Sequence, residues 1–344
     1  MSLEWGTRLS DRIRAALAAH DLEAARRLAV DGDGQARSLD KEYALMYRGL
    51  GITLRVLLDV AGQALARLPG EAAAPALEAV LRRFGADMRA LMTRVYGAHV
   101  AEASHVSPDA PSGVAAAVNA TRHLLVTGER LFAHEQARLA RQVVADLDAG
   151  DLVAAARLLD EKESGQYLPL HDRIIRFMAE VFAWSLAYGG PDELLRVHRE
   201  TAEGQRDGFE RWERLPAAEF ARATAFLLRQ HMGQVRVSED EEKFTVEQTP
   251  CGSGGRLRLL GAYAGPGALP IVRKPGPLTC GEASLPVYCT HCPVWNGLAP
   301  IEWFGRPHWV LDRPSRPDGS CTLHIYKRRD GAPADYARRL GRAP

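Results

Sequence analysis

From residue 7 to about 235, apolar residues recur at the spacing of one face of a helix. Ile13-Arg14-Ala15-Ala16-Leu17-Ala18-Ala19-His20 is one such run, and Asp21 restarts a second through Leu28. Ala, Leu, Arg and Glu dominate, and all favour helices. Two longer apolar helices are predicted, Tyr43 to Val60 and Ile174 to Tyr188. Breaks are predicted at Gly32-Asp33-Gly34, Pro69-Gly70, Pro108 to Gly113 and Gly189-Gly190-Pro191. From Val235 the texture changes. Gly and Pro become dense, and short β-type runs follow at Phe244-Thr245-Val246, Leu257-Arg258-Leu259-Leu260, Pro307 to Leu311 and Cys321 to Tyr326. The acidic run Glu239-Asp240-Glu241-Glu242 reads as a solvated link into the first strand. Residues 331–344 read as a loose tail with one helical turn.

One pattern occurs twice. Leu17 to Leu28 aligns with Leu147 to Leu158, sharing Leu, Asp, Leu, Ala, Ala, Arg and Leu. Each copy is followed by a polar loop and a long apolar helix. Two copies at so long a period do not make a solenoid, so duplication of a helical module is the reading adopted. The expected fold is therefore mainly α: a duplicated helical N-terminal region followed by a small α+β zinc-type domain. Its parts are helical repeat 1 (1–130), helical repeat 2 (131–235), a cysteine-rich α+β metal-binding domain (236–330) and the tail (331–344).

Composition narrows the classes. Apolar residues make up 46% and charged residues 25%, enough for a core and a solvated surface. Lys plus Arg number 44 against 43 Asp plus Glu, so the +1 charge argues against a chain built to coat nucleic acid or an anionic membrane. No stretch approaches the length of a membrane-spanning apolar segment. The start, Met1-Ser2-Leu3-Glu4-Trp5-Gly6, lacks a basic segment before an apolar run, so no signal peptide is expected. A cytoplasmic location follows, where clustered cysteines bind metal or do chemistry rather than pair as disulfides.

All five cysteines fall between residues 251 and 321. Cys251 lies in Pro250-Cys251-Gly252-Ser253-Gly254-Gly255, Cys289 and Cys292 form a C-x-x-C around His291, and Cys321 opens the last strand. Such a pair on a tight turn presents two thiolates, and Cys251 and Cys321 can complete a tetrahedral zinc site. Cys280, in a Gly/Pro-rich loop, is the weakest ligand candidate. A redox dithiol is the competing reading. That motif usually opens a helix, and Trp295-Asn296-Gly297 is expected to end one quickly. Ordinary core cysteines are the third. Gly252, Gly254 and Gly255 permit positive φ, so the loop could aim N–H groups inward, with Ser253 adding a hydrogen bond. His291 either ligates, leaving an open metal position, or stands outside a closed four-cysteine site. His171 with Asp172, and His231, are further proton-transfer candidates, although helix-end roles are the commoner explanation of such residues. Arg256 and Arg273 could bind an acidic substrate, and Trp295, Trp303, Phe304 and Trp309 read as core.

Taken together, Glu242-Lys243-Phe244, the Pro250 to Leu257 segment, Tyr288-Cys289-Thr290-His291-Cys292, Pro300-Ile301-Glu302, and Cys321 near Tyr326-Lys327 resemble an uncharacterised bacterial family. Leu170-His171-Asp172 and His231 fit the same pattern, over roughly residues 140–328. The resemblance implies a site without naming its reaction. The stretch Pro275 to Pro286 departs from it. The leading expectation is a zinc-dependent hydrolase of a small polar or acidic substrate. The cysteines would hold Zn(2+), His291 or His171 would move protons, and Arg256 or Arg273 would bind substrate. The alternatives are a protein-binding module with a structural zinc clip, and a thiol redox protein.

Overall fold

In the computed structural model the described residues are 2–36, 38–97, 112–312 and 319–342. Most of them are helical, and the C-terminal part carries a small antiparallel sheet. The chain forms two units. The first comprises Met1–Gly6, Thr53–Val80 and Ile175–Pro344; the second comprises Thr7–Ile52 and Leu81–Ile174. The change of texture near Val235 thus falls inside the first unit, where helices give way to strands.

The second unit contains both aligned segments. Helix α1 (Leu9–Ala18) turns into α2 (Leu22–Asp31), and α5 (Val114–Asp148) turns into α6 (Leu152–Asp160). The two turns are alike in detail. His20 and Gly150 adopt φ of 55° and 77°, a left-handed cap that ends a helix. Asp21 and Asp151 then accept from the N–H groups of Ala24 and Ala154, each at 2.9 Å, which starts the next helix. Arg26 reaches Asp148 at 2.5 Å and Arg14 reaches Asp160 at 2.8 Å, tying each segment to the other. After α6 comes a π-helical stretch, Glu161–Tyr167, before α7 (Leu168–Glu203). That stretch buries Lys162 and Glu163 beside Glu42 and Tyr43. Lys162 Nζ lies 3.6 Å from Glu42, and Tyr43 donates to Glu163. Burial pushes the Lys162 ammonium down, while Glu42 and Glu163 hold it up.

Helix α3 (Ala44–Arg67) forms where the first long apolar helix was expected. With the turn before it, Leu39–Arg67 has the length and hydropathy of a membrane span, and half of that window is buried in the fold, as in a core helix. The expected breaks at Gly32 to Gly34, Gly70 and Gly190 carry positive φ. Most of the one over 108–113 lies outside the described residues.

In the first unit the strand order is β1 (Ser2–Leu3), β2 (Val235–Glu239), β3 (Lys243–Gln248), β7 (Cys321–Tyr326), β6 (Val310–Asp312). Phe244 pairs with Ile325, Val246 with Leu323 and Gln248 with Cys321, so alternate residues of β3 and β7 share the buried face. The short edge strand β1 was not foreseen; Trp5 secures it by packing on Phe244, ring centres 5.9 Å apart. The acidic run is a hairpin turn rather than a link. Asp240 accepts from the N–H groups of Glu242 and Lys243, and these bonds hold its carboxyl down at about 2. The strand expected at Leu257–Leu260 is instead helix α10 (Gly254–Leu259), with Leu257 buried and Leu259 and Leu260 exposed. Short apolar runs do not distinguish the two conformations. Of Pro307 to Leu311, only the end from Val310 is strand.

The tail contains helix Ala334–Arg339, whose Tyr336 is buried. An aromatic cluster sits between α8 (Arg206–Glu213), α9 (Ala217–Arg229) and the segment before β6. Its centre is His308, stacked 5.4 Å from Phe304 and edge-on to Phe220 at 5.3 Å. Burial pushes His308 down to about 4, with Arg306 adding to the effect and Glu213 opposing it. The unfolded chain, with a histidine near 6.5, binds the proton more tightly between these values. Stability from this group is therefore present above 6.5 and lost as pH falls towards 4, by about 3 kcal/mol. Unfolding titrations at pH 7 and pH 4.5 should show the wild type losing more stability on acidification than His308→Phe; equal losses would contradict the assignment.

Candidate functional site

The C-x-x-C segment is helical throughout, contrary to the tight knuckle expected. A 3-10 turn, Val287–Thr290, runs into His291–Pro293, then a π-helical stretch Val294–Leu298, then Ala299–Phe304, ending at Gly305 with φ 76°. Asn296-Gly297 does not end the helix. Gly297 instead allows close approach, since a Cβ there would lie 2.8 Å from Leu340 and 3.0 Å from Tyr336. The carbonyl of Asn296 accepts from the N–H groups of His308 and Trp309, which carries the chain on into β6.

His291 is locked on three sides. Its ring lies 4.7 Å from Tyr288 and 4.7 Å from Trp295. Its Nδ1 is 2.5 Å from the carbonyl oxygen of Tyr288. A carbonyl only accepts, so Nδ1 carries the proton and Nε2 of the neutral ring is left as an acceptor. That Nε2 faces Cys292 Sγ at 3.4 Å. Cys292 and His291 are partly exposed, while Cys289 is buried. Arg258, on α10, points a guanidinium nitrogen at Cys289 Sγ from 3.8 Å. Cys251 Sγ lies 3.4 Å from Ser253 Oγ. Tyr288 joins these groups. Burial pushes its hydroxyl up, a hydrogen bond with Ser253 opposes this, and Cys292, Cys251 and Cys289 raise it further. The three thiols therefore lie within electrostatic reach of one phenol.

Cys321 lies in β7, paired with Gln248 three residues before Cys251. Cys280 is buried with φ 55° in the loop after Pro277–Thr279, its carbonyl accepting from Arg339 at 3.0 Å. None of the described cysteines is in a disulfide. Among the described residues, no group of three or more His, Cys, Asp or Glu side chains could hold a metal ion as placed.

The glycines after Cys251 serve close packing, not positive φ. A Cβ on Gly252 would lie 2.2 Å from the His231 carbonyl, and one on Gly254 would lie 2.7 Å from Cys289 Sγ. His231 reaches this loop through its main chain. Its carbonyl also accepts from Arg256 at 2.5 Å, and Arg256 donates further to Met232 and Gly252. Arg256 is thus a clasp between two backbone segments, not the free cation expected for substrate. Arg273 is exposed just after the short strand Ile271–Val272. His171 and Asp172 belong to the second unit, where Nδ1 and Oδ1 are 2.8 Å apart and His171 is buried. Asp172 is no helix cap, because the helix already begins at Leu168.

Sequence reasoning missed His198 and Thr290. His198 Nε2 is 2.7 Å from Thr290 Oγ1, and Thr290 donates to the Val287 carbonyl at 2.7 Å. Thr290 thereby accepts from Nε2–H, and the turn bearing Cys289 is fixed to α7. Trp295 Nε1 donates to the His198 carbonyl at 3.0 Å. Burial pushes His198 well below its usual range, with His291 adding to the effect. The signal was available: His198 lies on the stripe Leu194, Val197, Thr201, Ala202, the buried face of its helix.

No protein-family model matches this chain, and neither a curated protein nor a solved structure does.

Gly254→Ala forces a methyl group onto Cys289. Overpacking of this kind costs about 1–3 kcal/mol. A lowered unfolding midpoint with slower alkylation at the cluster is expected; a variant as stable and as reactive as wild type would contradict the close approach.

Proposed function

We propose that the cluster is a thiol redox centre acting on disulfides of small or exposed substrates. The supporting observation is the contact between Cys292 and the acceptor nitrogen of His291, on a C-x-x-C that opens a helical run. In the first step His291 Nε2 takes the proton of Cys292, and the thiolate attacks one sulfur of the substrate disulfide. A mixed disulfide forms, and the departing thiolate takes the proton from His291. Cys289, three residues earlier in the same helical run and beside Arg258, then loses its proton to solvent and attacks Cys292 Sγ, and the departing substrate thiolate takes up a proton from solvent. The substrate leaves as a second thiol, having gained two electrons and two protons. The protein is left with a Cys289–Cys292 disulfide, and an external dithiol must reduce it again.

Zinc is the second reading, as catalytic ion or structural clip. A cysteine thiol beside a histidine whose Nδ1–H is held by a carbonyl is a pair that suits zinc, although the described side chains would have to move to supply a third ligand. On that reading Cys251 joins Cys289, Cys292 and His291.

One experiment separates the two. Metal content and thiol labelling are measured on the purified protein equilibrated in dithiol buffers of graded potential. A reversible Cys289–Cys292 disulfide, lost in Cys289→Ser and Cys292→Ser and formed without metal, is the expected result. His291→Ala should slow labelling of Cys292 at pH 7 about tenfold. Stoichiometric zinc, with thiols that label only after chelation, would replace the redox reading with the zinc one.

A further inference from the structure

In the first unit a cavity of about 540 Å³ lies between the α8–α9 junction and the end of β7. None of its lining residues is a cysteine. Its volume is in the range of small-molecule sites.

Two properties of the wall select a ligand. The first is charge. Glu213, almost buried, accepts a two-pronged bond from Arg306, both distances 3.1 Å, and a further bond from Arg329. One carboxylate offsets one guanidinium, so the pair retains an excess positive charge. Lys327 and Arg328 also line the cavity, but Glu239 and Asp330 balance them. Glu213 thus holds two arginines side by side, with Arg329 largely exposed and able to swing onto an anion. The second property is aromatic. Trp212 and Phe220 meet edge to face at 5.5 Å, and His308 lies against Phe220. His308 is buried, and its Nδ1 has no hydrogen-bond partner. A bare anion uses only the arginines, and an apolar ring uses only the aromatics.

We propose that this cavity binds a free mononucleotide, its base against Trp212, Phe220 and His308 and its phosphate against Arg329 and Arg306. The required ligand combines a flat ring and a phosphate. This site is independent of the thiol cluster, and its failure would leave the redox reading untouched.

Calorimetric titration of the full chain with adenosine 5′-monophosphate tests the proposal, with the guanine, cytosine and uracil monophosphates alongside. At least one nucleotide should bind with a dissociation constant below about 1 mM. The matching nucleoside, and inorganic phosphate alone, should each bind at least about tenfold more weakly. Arg329→Ala, on an exposed side chain, should weaken the nucleotide about tenfold without changing the unfolding midpoint. Trp212→Ala should weaken the nucleotide and leave phosphate unaffected. Failure of all four nucleotides to bind a folded protein would overturn the proposal. So would equal affinity for nucleotide and inorganic phosphate, which would mark an anion site only.

Discussion

A single hydrogen bond, from His291 Nδ1–H to the carbonyl of Tyr288, decides what the cysteine cluster is able to do. It holds the proton on one ring nitrogen and turns the other towards Cys292. Everything around it preserves that orientation. Tyr288 and Trp295 flank the ring, and Trp295 is held by the His198 carbonyl. Thr290 fixes the turn from behind through His198 and Val287. On the other side the Gly254 backbone lies against Cys289, where any side chain would intrude. Such an arrangement is preorganised: the imidazole and the thiol beside it are positioned by packed neighbours, not by their own flexible rotamers.

The thiols differ because their surroundings differ. Cys292 is partly open, with His291 Nε2 3.4 Å from its sulfur. Cys289 is buried, with a guanidinium nearby. Cys251 comes from another part of the chain, carried in by a loop that packs backbone on backbone against His231 and Gly233. Cys321 lies in the sheet, where its spacing on β7 turns it to the buried face. On the proposed redox reading Cys292 is the nucleophile and Cys289 the thiol that resolves the mixed disulfide. In the second unit, polar chemistry takes another form, a buried Lys162 set among Glu42, Glu163 and Tyr43 along a π-helical stretch.

Much of the helical part was legible because its signals are local. Asp21 and Asp151 cap helices, Gly32, Gly70 and Gly190 end or kink them, and long apolar runs become long helices. The sequence grouped Cys251, Cys289, Cys292 and Cys321 around one ion, whereas among the described residues no three ligand-type side chains are placed to hold a metal. What failed was non-local. Leu257–Leu260 reads equally well as strand or helix, and tertiary packing chose the helix. Asn296-Gly297 looks like a terminator, but a π-helical stretch and the packing of Tyr336 on Gly297 carry the helix through. Arg256 reads as a substrate cation until three carbonyls are seen to occupy it. His198 was missed because a histidine on an apolar stripe carries no motif, and its importance comes from a threonine 92 residues away.

The most direct measurement is the protonation state of His291 itself. Nitrogen-15 spectra of the histidine-labelled protein near neutral pH report each ring nitrogen separately. A neutral ring protonated at Nδ1, with Nε2 bare and shifting when Cys292 is changed to serine, is the expected result. A ring protonated at Nε2 and bare at Nδ1 would mean that the Tyr288 carbonyl does not hold the proton, and that His291 is not the base of Cys292.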